Sequence, residues 1–421
     1  MMISSTSRRM MAVAAAFAIT TAGLSACSTS ADADAKSATE GGTLVFSNWQ
    51  WLEPGRGEVM WEAVNGYVTD NPKAELVKSE TAFAQYADKL NTQLGAGSGP
   101  DVFVIGDSQF VTLAEAGLLE PLNSSVSGVK LNASNDSMVL EGDQLGVTWD
   151  QVSYALLGNK IVMEQAGLTQ MPTTVDELIA ASKAIEANGA DGFAVRHQMN
   201  DFGGWYFDFQ AWPYGQGGAW SDGEKLTIDS PANVKGVSEF KRVMEAGIVP
   251  IGDDASTFRT KFKENQLGFT IDNSGAAASF ASGGKLTGAD ILSAPLPFPF
   301  SGQNEHLILA VNANSKNKEL AKNFVSWVVS ESGQSALRPS MGASTMATNI
   351  PLEQEFETAN PWAATYLENG SKSRSVLIPG FETETVPIMR IIMQAVERVI
   401  AEGQDPQAAL SQAQQEAEAA N

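Results

Sequence analysis

The residues best suited to chemistry in this chain are tryptophans and tyrosines set among short amides and acids. Asn48, Trp49, Gln50 and Trp51 are consecutive, and Trp205, Tyr206 and Trp212 fall in a run that also holds Gly203, Gly204 and Asp208. Such Gly-, Asn- and Asp-rich surroundings make poor helix interiors and are read as loops. One loop Trp is most simply a cap over a core. A collection of them beside amides and carboxylates fits a pocket with apolar platforms and a few placed polar groups. A sugar needs both, because its C–H faces stack on rings while its hydroxyls donate and accept. Asp107 follows an apolar run and has two readings: an acceptor for two ligand hydroxyls, or the cap of the next helix. Asn273 and Ser274 follow another apolar run in the same way. Asp201 and Asp208 read equally as hydroxyl acceptors or solvent-facing acids. Tyr86 reads as core, surface or contact, and His197 beside Arg196 reads first as a structural histidine.

The elements that must position these residues alternate between strand and helix. Thr43 to Ser47 is a strand, a helix spans about 57–69, residues 75–78 alternate as a second strand, and 83–94 is an amphipathic helix with apolar residues at 83, 87, 90 and 94. Gly95 to Pro100 breaks it, and 101–105 is the third strand. This order predicts an α/β lobe with a largely parallel sheet. A second stretch follows the strand at 144–148. Thr174 and Glu177 have capping-box spacing, and Ser230-Pro231 places a cap before a proline at the first helical position. Strands are expected at 193–196, 267–271 and 307–311. Helices are expected at 255–265, 318–329, 386–400 and 407–420. The candidate residues after 47, 105 and 271 therefore lie at the carboxyl ends of strands, where crevices form in open sheets.

The N-terminus carries an address. Arg8 and Arg9 precede the mostly apolar residues 10–20, and a small-residue stretch ends in Leu24-Ser25-Ala26-Cys27. This is a secretion leader over 1–26, with an apolar run too short for a convincing membrane span. Cys27 is the only cysteine among 421 residues, which excludes an internal disulfide. Leu-Ser-Ala-Cys resembles the bacterial lipobox, which implies cleavage before Cys27 and diacylation of it, two chains being enough for stable anchoring. Paired arginines match a twin-arginine signal only in part, so the export route stays open. Residues 27–41 read as a flexible tether.

Composition narrows the function. Lys plus Arg total 27 against 49 Asp plus Glu, a formal charge of −22, which argues against nucleic acid as partner. The hydrophobic fraction of 43% is that of an ordinary globular protein. The sequence shows no nucleotide-binding fingerprint, no His-x-x-x-His pair and no nucleophile elbow, and the two histidines, His197 and His306, lie far apart. Acidic residues are abundant enough that counting alone leaves a glycosidase pair open.

In order, several segments match one family. They include the opening strand Thr43-Leu-Val-Phe-Ser47, the Phe83 to Leu90 helix with its Lys-Leu pair, Gly99-Pro-Asp-Val-Phe-Val-Ile105, and Glu115-Ala-Gly-Leu-Leu-Glu-Pro-Leu122. Gly146-Val-Thr-Trp149, Glu164 to Leu168 followed by Pro172 to Leu178, Pro295-Leu-Pro297 and Gly403 to Leu410 complete the set. The chain resembles the maltose-binding-protein-like, carbohydrate-binding solute-binding proteins of bacterial ABC importers. The resemblance implies an α/β, two-lobed periplasmic-binding-protein fold with a central ligand cleft and hinge crossovers near Thr148 and Ile271. It places 42–149 and 273–329 in the first lobe, 150–272 and 330–401 in the second, and a helical extension at 402–421. It further implies a carbohydrate ligand, a disaccharide or oligosaccharide, no cofactor and no metal. The partners would be membrane permease subunits and, through Cys27, the lipid bilayer, with a monomeric domain on the extracellular face of the membrane. Met341 and Gly342 resemble the late loop that approaches sugar in relatives, with Arg374 and Phe381 as weaker candidates. Val175 stands where a Trp is common, and Asn273-Ser274 replaces a frequent Gly-x-Trp turn, so the pocket chemistry does not copy over. A binder of another polar metabolite such as a sugar acid, or a secreted glycoside-acting enzyme, are the alternatives.

Overall fold

Apolar runs between Gly- and Pro-rich breaks assemble into one mixed sheet. The computed structural model describes residues 41–420 except Pro54, Ser282 and Gly283. The leader, Cys27 and nearly all of the tether lie outside the described residues. The strands of this sheet are β1 (Gly42–Ser47), β2 (Ala74–Ser79), β3 (Val102–Gly106), β4 (Val147–Asn159), β5 (Asp191–Ala194), β6 (Leu267–Asn273), β7 (Ile291–Ala294), β8 (Gln303–Val311) and β9 (Arg374–Ser375), and Val139–Leu140 pairs separately with Asp143–Gln144. Their order across the sheet is β2-β1-β3-β8-β4-β6-β5, with β9 on β8 and β7 on β4. β1 is parallel to β2 and β3, β5 to β6, and β9 to β8, whereas β8 and β4 run antiparallel to each other and to β3 and β6. Helices connect the parallel strands, as right-handed crossovers require.

β4 is the spine of the fold. Its first half pairs with β8, Asn304 opposite Ser153, and its second half pairs with β6, Tyr154 opposite Asn273. The same strand therefore serves two lobes and changes partner between Ser153 and Tyr154. Each lobe packs apolar side chains on both faces of its part of the sheet. In the first, Phe46 meets Trp51 and Trp149 edge-on at 5.0 and 5.6 Å. In the second, Trp212 packs edge-on against Phe240 and Phe298. Edge-on ring pairs of this kind add to the burial of their area.

These pairings move the expected boundaries. Thr148 and Ile271 both lie inside continuous strands, so the crossover falls instead at residues 153–154 of β4 and at the start of β8. Phe280 and Ile291 pack with Ala155 and Leu157 of the far half of β4, and β7 pairs with that same half, so residues 273–294 do not belong with the first lobe. The Glu331–Met341 helix buries Leu337 and Met341 in the first core, against the Gly57–Asp70 helix, rather than in the second lobe. The Pro406–Ala420 helix is no appendage: Ala409, Leu410, Ala413 and Ala417 are buried in the second core. The local signals were sound, but they carry no information about which core an apolar helix face meets.

The segment read as an aromatic loop is helical. Phe202–Phe209 and Ala211–Gly215 form two short helices. Gly203 and Gly204 disfavour helix, yet burial of Phe202, Trp205 and Phe209 overrides that preference. Gly204 has a packing reason: a Cβ there would come within 2.6 Å of the Arg196 guanidinium.

Candidate binding cleft

Polar side chains gather where the crossing strands, the end of β3 and the end of β5 meet. Asp107 opens the helix after β3. Its carboxylate accepts the His306 backbone N–H at 2.7 Å and lies 3.0 Å from His306 Nδ1. Asp107 is the first residue of its helix rather than its cap, which is Gly106, and its carboxylate is engaged by β8. Across from it, Arg196 follows β5. It donates to Asp201 at 2.9 Å and to Asp208 at 2.5 Å, and the Tyr154 hydroxyl donates to the other Asp208 oxygen at 3.0 Å. Burial raises Asp208 to about 6 even though Arg196 opposes the shift. Asp272 at the end of β6 holds Arg259 in a two-point pair at 2.7 and 2.8 Å.

The first lobe supplies a third pair at the strand junction. Arg56 donates to Asp150 at 2.6 Å and to the Ser340 carbonyl at 2.7 Å. Gln50 donates weakly to Asp150 and accepts from Trp149 Nε1 at 2.9 Å, while Asn48 donates to Gln50 at 3.0 Å. Asn48 also accepts the Gln50 backbone N–H as the cap of the short Trp49–Leu52 helix.

Between these pairs stands Glu305, which sequence reasoning missed. It lies on β8 opposite Val152 and is partly exposed. Among the described residues its carboxyl makes no hydrogen bond or ion pair. Burial, then the fields of Asp107 and Asp208, raise it to about 8 against the pull of Arg196. Tyr206 reaches the same place from the second lobe: its phenol is near Ser108 and feels Glu305 and Asp107, and burial holds its proton well above the ordinary range. The available signal was the polar opening Gln303-Asn304-Glu305-His306 of a strand that is otherwise apolar.

Residues 54–335 match the family model for the bacterial extracellular solute-binding protein. The chain belongs to that family. Among relatives of this solute-binding protein, the diacetylchitobiose binding protein DasA of Streptomyces coelicolor is 25% identical over 362 residues, 81% of this chain and 84% of DasA. The galactooligosaccharide-binding protein of Bacillus subtilis is 24% identical over 328 residues, 73% of each chain. The GacH receptor of Streptomyces glaucescens, solved unliganded and with acarbose, superposes with a TM-score of 0.79 at 20% identity, over 89% of this chain and 97% of GacH. That likeness establishes the two-lobed binding-protein fold. Among the described residues no helix is long and apolar enough to cross a membrane.

The solute-binding protein distributes the expected contact residues unevenly. Tyr206 and Asp107 do converge, from opposite lobes. Trp49 is half-buried, its ring 4.9 Å from Tyr86 and 5.6 Å from Phe83, which is 54% exposed. Trp51, Trp205 and Trp212 are corrected: at 3%, 0% and 1% exposure their rings fill the cores and offer no free face. Asn273 is committed as the cap of the Ser274–Phe280 helix, and the Ser274 hydroxyl bonds to that of Ser344. Met341 is buried in the first core beside Arg56, and Gly342 is buried at the turn that follows. Arg374 donates to the Gly218 carbonyl and lies over the Tyr214 ring, and Phe381 packs on the second core. His197 is a structural residue, its ring held by Val195 O and the Gly252 N–H.

Proposed function

We propose that this chain captures a carbohydrate, a disaccharide or oligosaccharide, as the substrate-binding component of an ABC importer. The observation that carries this reading is the set of ordered polar pairs meeting at the strand junction between two cores, with Tyr206 entering from one lobe and Asp107 and Glu305 from the other. Hydroxyl-rich ligands need many placed acceptors and donors, and hinge closure of two lobes buries such a ligand. The half-exposed Trp49–Phe83 pair is the stacking platform at the cleft rim. Relatives named for diacetylchitobiose and galactooligosaccharide support the ligand class. A sugar acid fits less well, because its carboxylate would meet the acids Glu305 and Asp107.

The remaining parts of the reading follow from the family. A lipid on Cys27 holds the protein as a monomer at the outer face of the membrane, where it delivers its ligand unchanged to permease subunits. The first lobe consists of residues before the β4 crossover together with the end of β8 and the helices to Met341. The second consists of the rest. The test is a thermal-shift screen of the mature chain against a glycan panel, since a ligand that binds only the native state must raise its stability. A panel without a single stabilising glycan overturns the carbohydrate assignment. Chemical conversion of the best ligand on prolonged incubation overturns the transport role.

A further inference from the structure

Charge and hydrogen-bonding capacity around Glu305 are unbalanced in one direction. The other acids that feel it are already matched: Asp107 by His306, Asp208 by Arg196, and Asp150 by Arg56. Arg196, which pulls against the shift of Glu305, is spent on Asp201 and Asp208. The unmatched buried atoms nearby include two acceptors, beside the Ser108 hydroxyl and His306 Nε2. Asp150 Oδ1 and Gln303 Oε1 belong to residues with 0% exposure, and neither has a partner among the described residues. The Gln303 amide orientation is fixed by its bond to the Phe207 carbonyl at 2.6 Å, which leaves its oxygen free. Gln303 and Glu305, two residues apart on β8, lie on the same face of the strand.

An unpaired carboxyl beside two unpaired acceptors is completed by a ligand that brings donors and positive charge. A hydroxyl brings one donor and remains an acceptor, whereas an ammonium brings three donors and no acceptor. We propose that Glu305 sets the selectivity of the cleft and that the ligand is a glycan carrying a basic nitrogen. The inference rests on the carbohydrate reading above and narrows it. The raised proton affinity of Glu305 agrees with this: without a cation the carboxyl keeps its own proton, and a ligand ammonium takes that proton's place as the neutralising charge.

Matched sugars test it. Calorimetry on the mature chain compares chitobiose, with free amines, against cellobiose, and acarbose, with its secondary amine, against maltotetraose. In at least one pair the amine should bind roughly tenfold tighter or more, as a charge-assisted bond predicts. Glu305→Gln should make the two members of that pair bind alike, and Glu305→Asp should retain part of the preference. Thermal unfolding of both variants establishes that they fold. Equal or tighter binding of the neutral sugar overturns the inference but leaves the carbohydrate reading standing, as does a preference that survives Glu305→Gln. If the glycan panel yields no ligand of either kind, the carbohydrate reading fails and this inference fails with it.

Discussion

A carboxyl that keeps its proton to about pH 8 leaves a trace in stability as well as in binding. Its folded pKa lies above the value of an unfolded glutamate, so the native state holds the proton more tightly. The resulting stability is fully present below the unfolded pKa and is lost as pH rises through about 8. Glu305→Gln cannot ionise. It should therefore exceed the wild type at pH 8.5 by on the order of 2–4 kcal/mol, with the gap closing toward pH 5. Urea melts at three pH values measure this, and a gap that does not change with pH would mean that the carboxyl is well solvated. Asp208 shifts in the same direction, and because its field is one of those that raise Glu305, its repulsion is relieved in Glu305→Gln and counts toward the same gap. At this scale the sequence was only partly readable. An Asp at the end of β3 is visible in the sequence. That His306, on a strand far along the chain, would claim it is not. Glu305 falls outside the expected strand at 307–311, because strand patterns are read for their apolar face.

Periodicity and caps made most single elements legible. The helix expected near 57–69 is Gly57–Asp70, and that expected near 386–400 is Thr385–Ala401. Thr174 does cap its helix through the Glu177 N–H, although the Glu177 carboxylate answers to Thr173 rather than closing the box on Thr174. The exception is the Phe202–Gly215 segment, where local composition and tertiary burial disagree and burial wins. This gives opposite expectations for two tryptophans. Trp212→Ala opens a hole in the second core and should cost about 3–5 kcal/mol of unfolding free energy. Trp49→Ala removes a half-buried ring, should cost less than about 2 kcal/mol, and should weaken glycan binding. Denaturant unfolding together with calorimetry separates the two. A Trp212 variant that is stable but does not bind would return that ring to the ligand, and a Trp49 variant that binds normally would remove the proposed platform.

On the scale of the molecule, family segments fixed the two-lobed architecture, but the boundaries drawn from them were displaced. Lobe membership is decided by strand pairing and by which core a helix face meets, and neither is local. The position of β8 between β3 and β4 has a further consequence for how the protein comes into being. Val102 pairs with Val311, so a central strand of the first lobe arrives roughly two hundred residues after the strand it must join. Until then β3 has an open edge, and the apolar faces of Leu309 and Val311 are missing from the core. Closing so long a loop makes folding slow, because the entropy is lost before the contacts repay it. A chain ending at residue 300 should accordingly lack protected amides in β1 and β3, while Gly42–Val311 and the helices after it should gain them together. Hydrogen exchange on the truncated and full chains would show whether the order is strict. A first sheet protected in the short chain would mean that β3 does not need its neighbour. If the order holds, the nascent first half stays extended and threadable until the chain is nearly complete, which is the condition a polypeptide must meet to pass through a narrow channel before it folds.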